Sequence, residues 1–213
     1  AYFADWIGGY PLDGKGAIWR FDVAPSVDKT SEQFLSKPFS FAVPKDELLG
    51  LLGHRDQRVR VNASIRLDRL GAWDDMLALA KKPEANRFAR IHAIWGYGMG
   101  LRHGKIADIA ASLSLLEDAD SEIRVQALKV LSETKPTEEL IAKATAQLGH
   151  KDFRVRIQAG LTLGKLGGKV PFVAFLQDAD ADLQLPWLRH GLVSGLAGTQ
   201  SAETLLATAQ AES

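Results

Sequence analysis

One arginine returns along this chain at nearly constant spacing, and that recurrence constrains the fold more than any other feature. Arg60, Arg90, Arg124, Arg156 and Arg189 sit in RVRVNA, FARIHA, EIRVQA, RVRIQA and WLRHGL, at intervals of 30, 34, 32 and 33 residues. Ala63, Ala93, Ala127 and Ala159 follow three places later. A period in this range marks a solenoid, in which each unit buries its apolar face only by stacking on its neighbours. Such a recurrence specifies an architecture and leaves the ligand open.

The units read as helical pairs from Pro44 onward. Pro44 suits a first helical position, KDELLGLLG continues it, and Gly53 stops it. Asp56 then stands where an N-cap is wanted, and QRVRVNASIRLDRL runs on to Gly71. Further pairs are expected near 73–82 and 86–101, 105–117 and 120–133, 137–148 and 152–166, and 169–177 and 182–197, with a last helix over 200–211. Asp56, Asn86, Asp120 and Asp152 each precede the recurring arginine by four places. Side chains of this type accept backbone N–H groups at a helix start, worth ~1 kcal/mol against Ala. Val59, Ala63, Leu67 and Leu70 are expected on one buried face, as are Val125, Leu128, Val130 and Leu131. Gly96, Gly98 and Gly100 are costly inside a helix, so close contact or a bend is expected there.

Residues 1–24 have a different character. Two apolar runs, AYFADW and AIWRFDV, flank the Gly- and Pro-rich IGGYPLDGKG and read as a β-hairpin. Tyr2, Phe3, Trp6, Trp19 and Phe21 would supply its packing surface. Residues 25–43 form a connector with a weak helix around Ser31–Ser36, and 44–213 form the repeat domain. The expected fold is therefore all-α, a right-handed α-α superhelix of five helix pairs and a terminal helix, with a short N-terminal β-hairpin.

Composition narrows function by exclusion. The 26 basic and 26 acidic residues cancel, so no global field draws the chain to nucleic acid. Residues 1–106 carry 16 basic and 12 acidic groups against 10 and 14 in 107–213, a dipole too mild to name a partner. The absence of cysteine removes disulfides, thiolate zinc sites and cysteine nucleophiles. No apolar run is long enough to span a membrane. The start at AYFADW, without Met, is expected to be a cut or processed end.

The strings LLGHRDQRVRVNASIRLDRLG, LLEDADSEIRVQALKVL and QLGHKDFRVRIQAGLTLGKLG resemble the HEAT-repeat signature. A further resemblance runs through ADWIGGYPLDGKGAIWR, ELLGLLGHRDQRVRVNA, ARIHAIWGYGMG and WLRHGLVSGLAG. These segments look like the middle of bacterial putative membrane-bound dehydrogenases of the planctomycete–verrucomicrobia type. In that family a propeller similar to sugar and sorbosone dehydrogenases precedes HEAT-like repeats, and a cytochrome c domain with CxxCH follows. This chain holds at most one propeller hairpin and no CxxCH, so the resemblance implies a non-catalytic section and carries over no functional residue. It also implies a periplasmic or exported setting, a compartment the residues alone leave unknown.

No catalytic constellation competes with this. His54, His92, His103, His150 and His190 form neither HxxxH nor HExxH. His54 and His150 share one slot, six before the arginine, and read as polar corner residues. His92 and His190 read as core or groove packing. The acidic strings Asp118–Asp120 and Asp178–Asp182 lack the EF-hand glycine and terminal Glu. No catalytic, cofactor or metal residue is therefore assigned, and no cofactor is expected.

Asp56, Arg60, Arg90, Asp120, Arg124, Asp152, Arg156 and Arg189 are expected to cross-link adjacent repeats as a ladder, the arginines of neighbours facing one another. Arg58, Asn62, Arg66, Arg87 and Trp95 are the candidates for a partner site on the concave face of the second helices. The partner would be a protein or peptide, or another domain of the same parent chain, with no nucleic acid involved. Two functions compete: an interaction scaffold, or a spacer between a propeller and its cytochrome. A tetrapyrrole-protein lyase, known among HEAT-like families, finds no pigment-binding context here.

Overall fold

The computed structural model describes residues 2–6, 16–20, 29–39, 41–167, 186–199, 201–203 and 206. The chain divides into two compact units, Ala1–Pro38 and Phe39–Ser213. In the first, β1 (Tyr2–Trp6) and β2 (Gly16–Arg20) pair antiparallel with Phe3 opposite Trp19, and α1 spans Lys29–Ser36. Ser31 and Phe34 form the buried side of α1. The side chains expected to pack the hairpin, those of Tyr2, Phe3, Trp6, Trp19 and Phe21, lie outside what is described.

The second unit is helical among its described residues. Its helices are α2 (Lys45–Leu51), α3 (Gln57–Arg69), α4 (Trp73–Ala80), α5 (Arg87–Arg102), α6 (Ser121–Leu131), α7 (Glu138–Ala146), α8 (Phe153–Leu166) and α9 (Pro186–Thr199). Pro44 stands just before α2 with ψ of 140°, as the residue that enters the helix, not as its first turn. The pairs are α2/α3, α4/α5, a 3-10 segment with α6, and α7/α8; second helices then stack in the order α3, α5, α6, α8, α9. The expected helices 169–177 and 200–211 lie outside the described residues, apart from 201–203 and 206.

One first helix departs from expectation. The sequence pattern predicts an α-helix over 105–117, yet Lys105–Ile109 is irregular and Ala110–Glu117 is a 3-10 helix. Asp108 Oδ1 accepts the Ala110 N–H at 2.8 Å, and Ser112 Oγ donates to Ile109 O at 2.6 Å. The Ser112 N–H also closes on Ile109 O, three residues back. Asp and Ser side chains offer the backbone local partners in place of the helical ladder, and two of them at this start tighten the turn.

The core runs through the array as small and large residues in alternation. Ala63, Ala93, Ala127 and Ala159 are almost wholly buried, flanked by Leu67, Ile94, Leu128 and Leu163. The small alanines let neighbouring second helices meet closely. Leu70, expected in this core, is 60% exposed because it falls at the C-cap after the last turn of α3. The glycines of α5 mark close approaches. A Cβ at Gly96 would overlap Met76 of α4, one at Gly98 would lie 2.8 Å from Val130 Cγ1 of α6, and one at Gly100 would lie 2.6 Å from Trp73 of α4.

Candidate protein-interaction face

Each of the first four repeats turns from its first helix into its second through a corner held by the recurring arginine. Arg60 Nη1 donates to His54 O at 2.7 Å and to Arg55 O at 3.0 Å. Arg90 Nε donates to Ala80 O, Arg124 Nε to Asp118 O, and Arg156 Nε to Leu148 O. All of these acceptors belong to the end of the preceding first helix or its corner. The last carbonyls of a helix lack partners and carry the negative end of its dipole, so a cation settles there. The expected ladder of arginine facing arginine is thereby corrected: these side chains clamp their own repeat first. Two also reach forward, Arg90 to the carboxylate of Asp118 and Arg124 Nη1 to Gln147 Oε1 at 2.9 Å. Arg189 stands on α9, and its side chain lies outside what is described.

The second helices α3, α5, α6 and α8 start on side-chain caps. Asp56, Asp120 and Asp152 accept the N–H groups of Arg58, Glu122 and Arg154, and Asn86 accepts those of Phe88 and Ala89. His54 Nδ1 and His150 Nδ1 accept the Asp56 and Asp152 N–H groups at 3.0 Å, and Asp118 Oδ1 does the same for Asp120. Arg58 holds the Asp56 carboxyl down at about 2, and Arg87 holds that of Asp120 below the usual carboxylate range.

From these starts a polar row runs across three repeats on the second-helix face. Trp95 Nε1 on α5 donates to Gln126 Oε1 on α6 at 2.8 Å. Gln126 Nε2 donates to Glu122 Oε1 at 2.7 Å, and Arg154 Nη1 on α8 donates to Glu122 Oε2 at 2.8 Å. Beside this row Trp95, Arg102, Lys129, Val130 and Glu133 line a cleft of about 360 Å3 between α5 and α6. Arg102 pairs with Glu133 across it at 2.8 Å. The Trp95 ring meets the buried His92 edge-on, with centroids 4.7 Å apart. Burial first, and Arg60 second, push the His92 imidazole down to about 4, so it stays neutral near pH 7.

The five candidate partner-site residues separate. Trp95 is half-buried at the cleft wall, and Arg58 is exposed over its own Asp56 at 2.7 Å. Arg87 is exposed and forks onto Asp120. Asn62 is half-buried and accepts from Arg66 Nε at 2.7 Å. Arg66, expected among the partner-site residues, is instead 4% exposed and donates to Phe41 O at 3.0 Å. Its guanidinium lies where the segment before α2 crosses α3, so it straps that segment down. Sequence reasoning missed Gln126, Glu122, Arg154 and Lys129. A signal existed, since Asn62, Gln126 and Gln158 all stand two places after the recurring arginine.

Among the described residues no group of three or more His, Cys, Asp or Glu is placed to hold a metal ion, and no helix is long and apolar enough to cross a membrane. A family model described as HEAT repeats matches residues 109–197. That span starts just before the 3-10 segment and ends within α9, so it takes in the α6 and α8 portion of the polar row. No curated protein matches the chain.

Proposed function

We propose that this chain is a non-catalytic interaction scaffold whose second-helix face holds a protein or peptide. HEAT repeats commonly serve as protein-interaction scaffolds, and the matched repeats form part of this face. The observation that carries the reading is Trp95. A tryptophan tied to the next repeat by its own N–H is held in one orientation at a cleft wall, and part of its surface stays open to solvent. Rigid aromatic side chains flanked by charged groups are the usual anchors of interfaces. Arg102, Lys129 and Glu133 would form the polar rim, and Arg58 and Arg87 would extend it along the helix starts.

The test compares affinity capture by the intact chain and by Trp95→Ala, with circular dichroism to verify equal helicity. A partner retained by the first and lost by the second supports the site. Equal capture by both overturns it.

A second reading places the chain as a spacer in a multi-domain dehydrogenase, between a propeller and a cytochrome c domain. The pairing of β1 and β2 favours it, because two strands alone are marginal in water and gain stability from further strands. In this reading residues 1–24 belong with a preceding propeller, 25–43 connect, and 44–213 hold the domains apart. The full open reading frame decides: a propeller upstream and CxxCH downstream support the spacer, and their absence overturns it. Under either reading the isolated chain neither oxidises sugars nor retains a cofactor through purification.

A further inference from the structure

We propose a second, separate site at the first helix pair that takes an acidic peptide segment through one apolar side chain and an adjacent carboxylate. Phe39, Phe41, Ala42, Val43, Leu48, Arg66, Arg69 and Leu70 enclose a pocket of about 250 Å3. Its apolar side is open to solvent: Phe39 is 41% exposed, Phe41 49% and Leu70 60%. Its polar side is formed by two arginines, and no carboxylate lines it among the described residues. This pairing of charge and apolar surface is unlike the cleft at Trp95, where Arg102 already faces Glu133.

The geometry assigns each wall a role. Both guanidiniums lie against the Phe39 ring, Arg66 at 4.8 Å and Arg69 at 4.5 Å from its centroid. A guanidinium stacked on an aromatic ring keeps its N–H edge free for a carboxylate fork, and the stacking limits the rotamer freedom lost on binding. Arg66 is already engaged by Asn62 and Phe41 O, so it contributes fixed positive potential. Arg69 is exposed and supplies the contact with the carboxylate. Ala42, Val43, Leu48 and Leu70 form an aliphatic seat for a side chain of leucine size. Nucleic acid fits less well. Each guanidinium already rests against the Phe39 ring, and the chain's zero net charge gives no long-range attraction to a polyanion.

The inference does not rest on the Trp95 reading, because the two sites share no residue. It is tested with the full chain by fluorescence anisotropy, using a short fluorescein-labelled peptide whose central leucine is flanked by glutamates. Three competitors define the chemistry: the same peptide with glutamine for glutamate, the same peptide with serine for leucine, and oligothymidine. The expected result is saturable binding that weakens about tenfold or more with either altered peptide, as for loss of a charge-assisted contact or an apolar anchor. Arg69→Gln should weaken binding similarly while Trp95→Ala leaves it unchanged. Absence of binding, equal affinity for the glutamine peptide, preferential competition by oligothymidine, or indifference to Arg69→Gln would each overturn the site. Because Arg69 is exposed, its glutamine variant keeps the fold, which the helical circular dichroism signal checks.

Discussion

Arg87 of α5 forks onto Asp120 just before α6, Nε to Oδ2 at 2.6 Å and Nη2 to Oδ1 at 2.5 Å, while the same carboxylate caps that helix. One side chain thus starts a second helix and ties it to the repeat before. The cap and the ion pair are separable. Asp120→Asn keeps a capping oxygen and loses the charge, costing under about 1 kcal/mol because Arg87 is exposed. Asp120→Ala loses both and should cost about 1–2 kcal/mol. Urea midpoints rank wild type, Asn, Ala; equal midpoints for the two variants would place the whole effect in one interaction.

Arg124 and Arg66 give a second comparison. From sequence, truncating Arg124 is expected to cost more than truncating Arg66, since Arg124 is interior to the array. The burial of Arg66 changes this. Arg124→Ala removes bonds to Asp118 O, Glu117 O and Gln147, and Arg66→Ala removes those to Asn62 and Phe41 O. Hydrogen bonds from charged groups are worth about 1.5–3 kcal/mol, so both variants should lose on the order of 2 kcal/mol. A chemical denaturation series reads this, and an Arg66→Ala loss near zero would contradict its strapping role.

The α5/α6 contact is testable through Gly98. Gly98→Ala places a methyl 2.8 Å from Val130 Cγ1 and should destabilise by about 1–3 kcal/mol through overpacking, despite the better helix propensity of Ala. Combining it with Val130→Ala removes the clash, so the double variant should lose less than the sum of the singles. Additive losses would show that Gly98 is not a contact position.

His92 sets an acid limit on stability. Its folded value of about 4 lies below the ordinary 6.5, so the unfolded chain binds the proton more readily. The neutral form's stability is fully present above 6.5 and is lost as pH falls from there toward about 4. The loss amounts to about 2 kcal/mol midway through that window. His92→Gln should flatten the decline between neutral pH and pH ~5, measured by urea unfolding. A parallel decline in both proteins would assign it to carboxylates instead.

How much of this was legible beforehand differs by residue. Asp56, Asp120 and Asp152 are readable as caps because a cap depends only on the backbone two residues ahead. The alanines after each arginine are readable as contact positions because helical period and register place them on one face. The 3-10 segment was not, because Asp108 and Ser112 act through local bonds that override the apolar pattern.

The amino-acid sequence by itself determined the repeat length and the starts of α3, α5, α6 and α8, because those depend on interactions between residues close in the chain. Tertiary structure alone decided where the long cations go. Arg66 and Arg69 sit three residues apart on α3, yet one is buried against Phe41 O and the other is exposed beside the Phe39 ring. Trp95 stands in the largely apolar IHAIW, and its place at a cleft wall is fixed by Gln126 of the next repeat, which accepts its N–H. A long side chain reaches across a repeat boundary, so its environment is set by partners about thirty residues away that periodicity cannot assign.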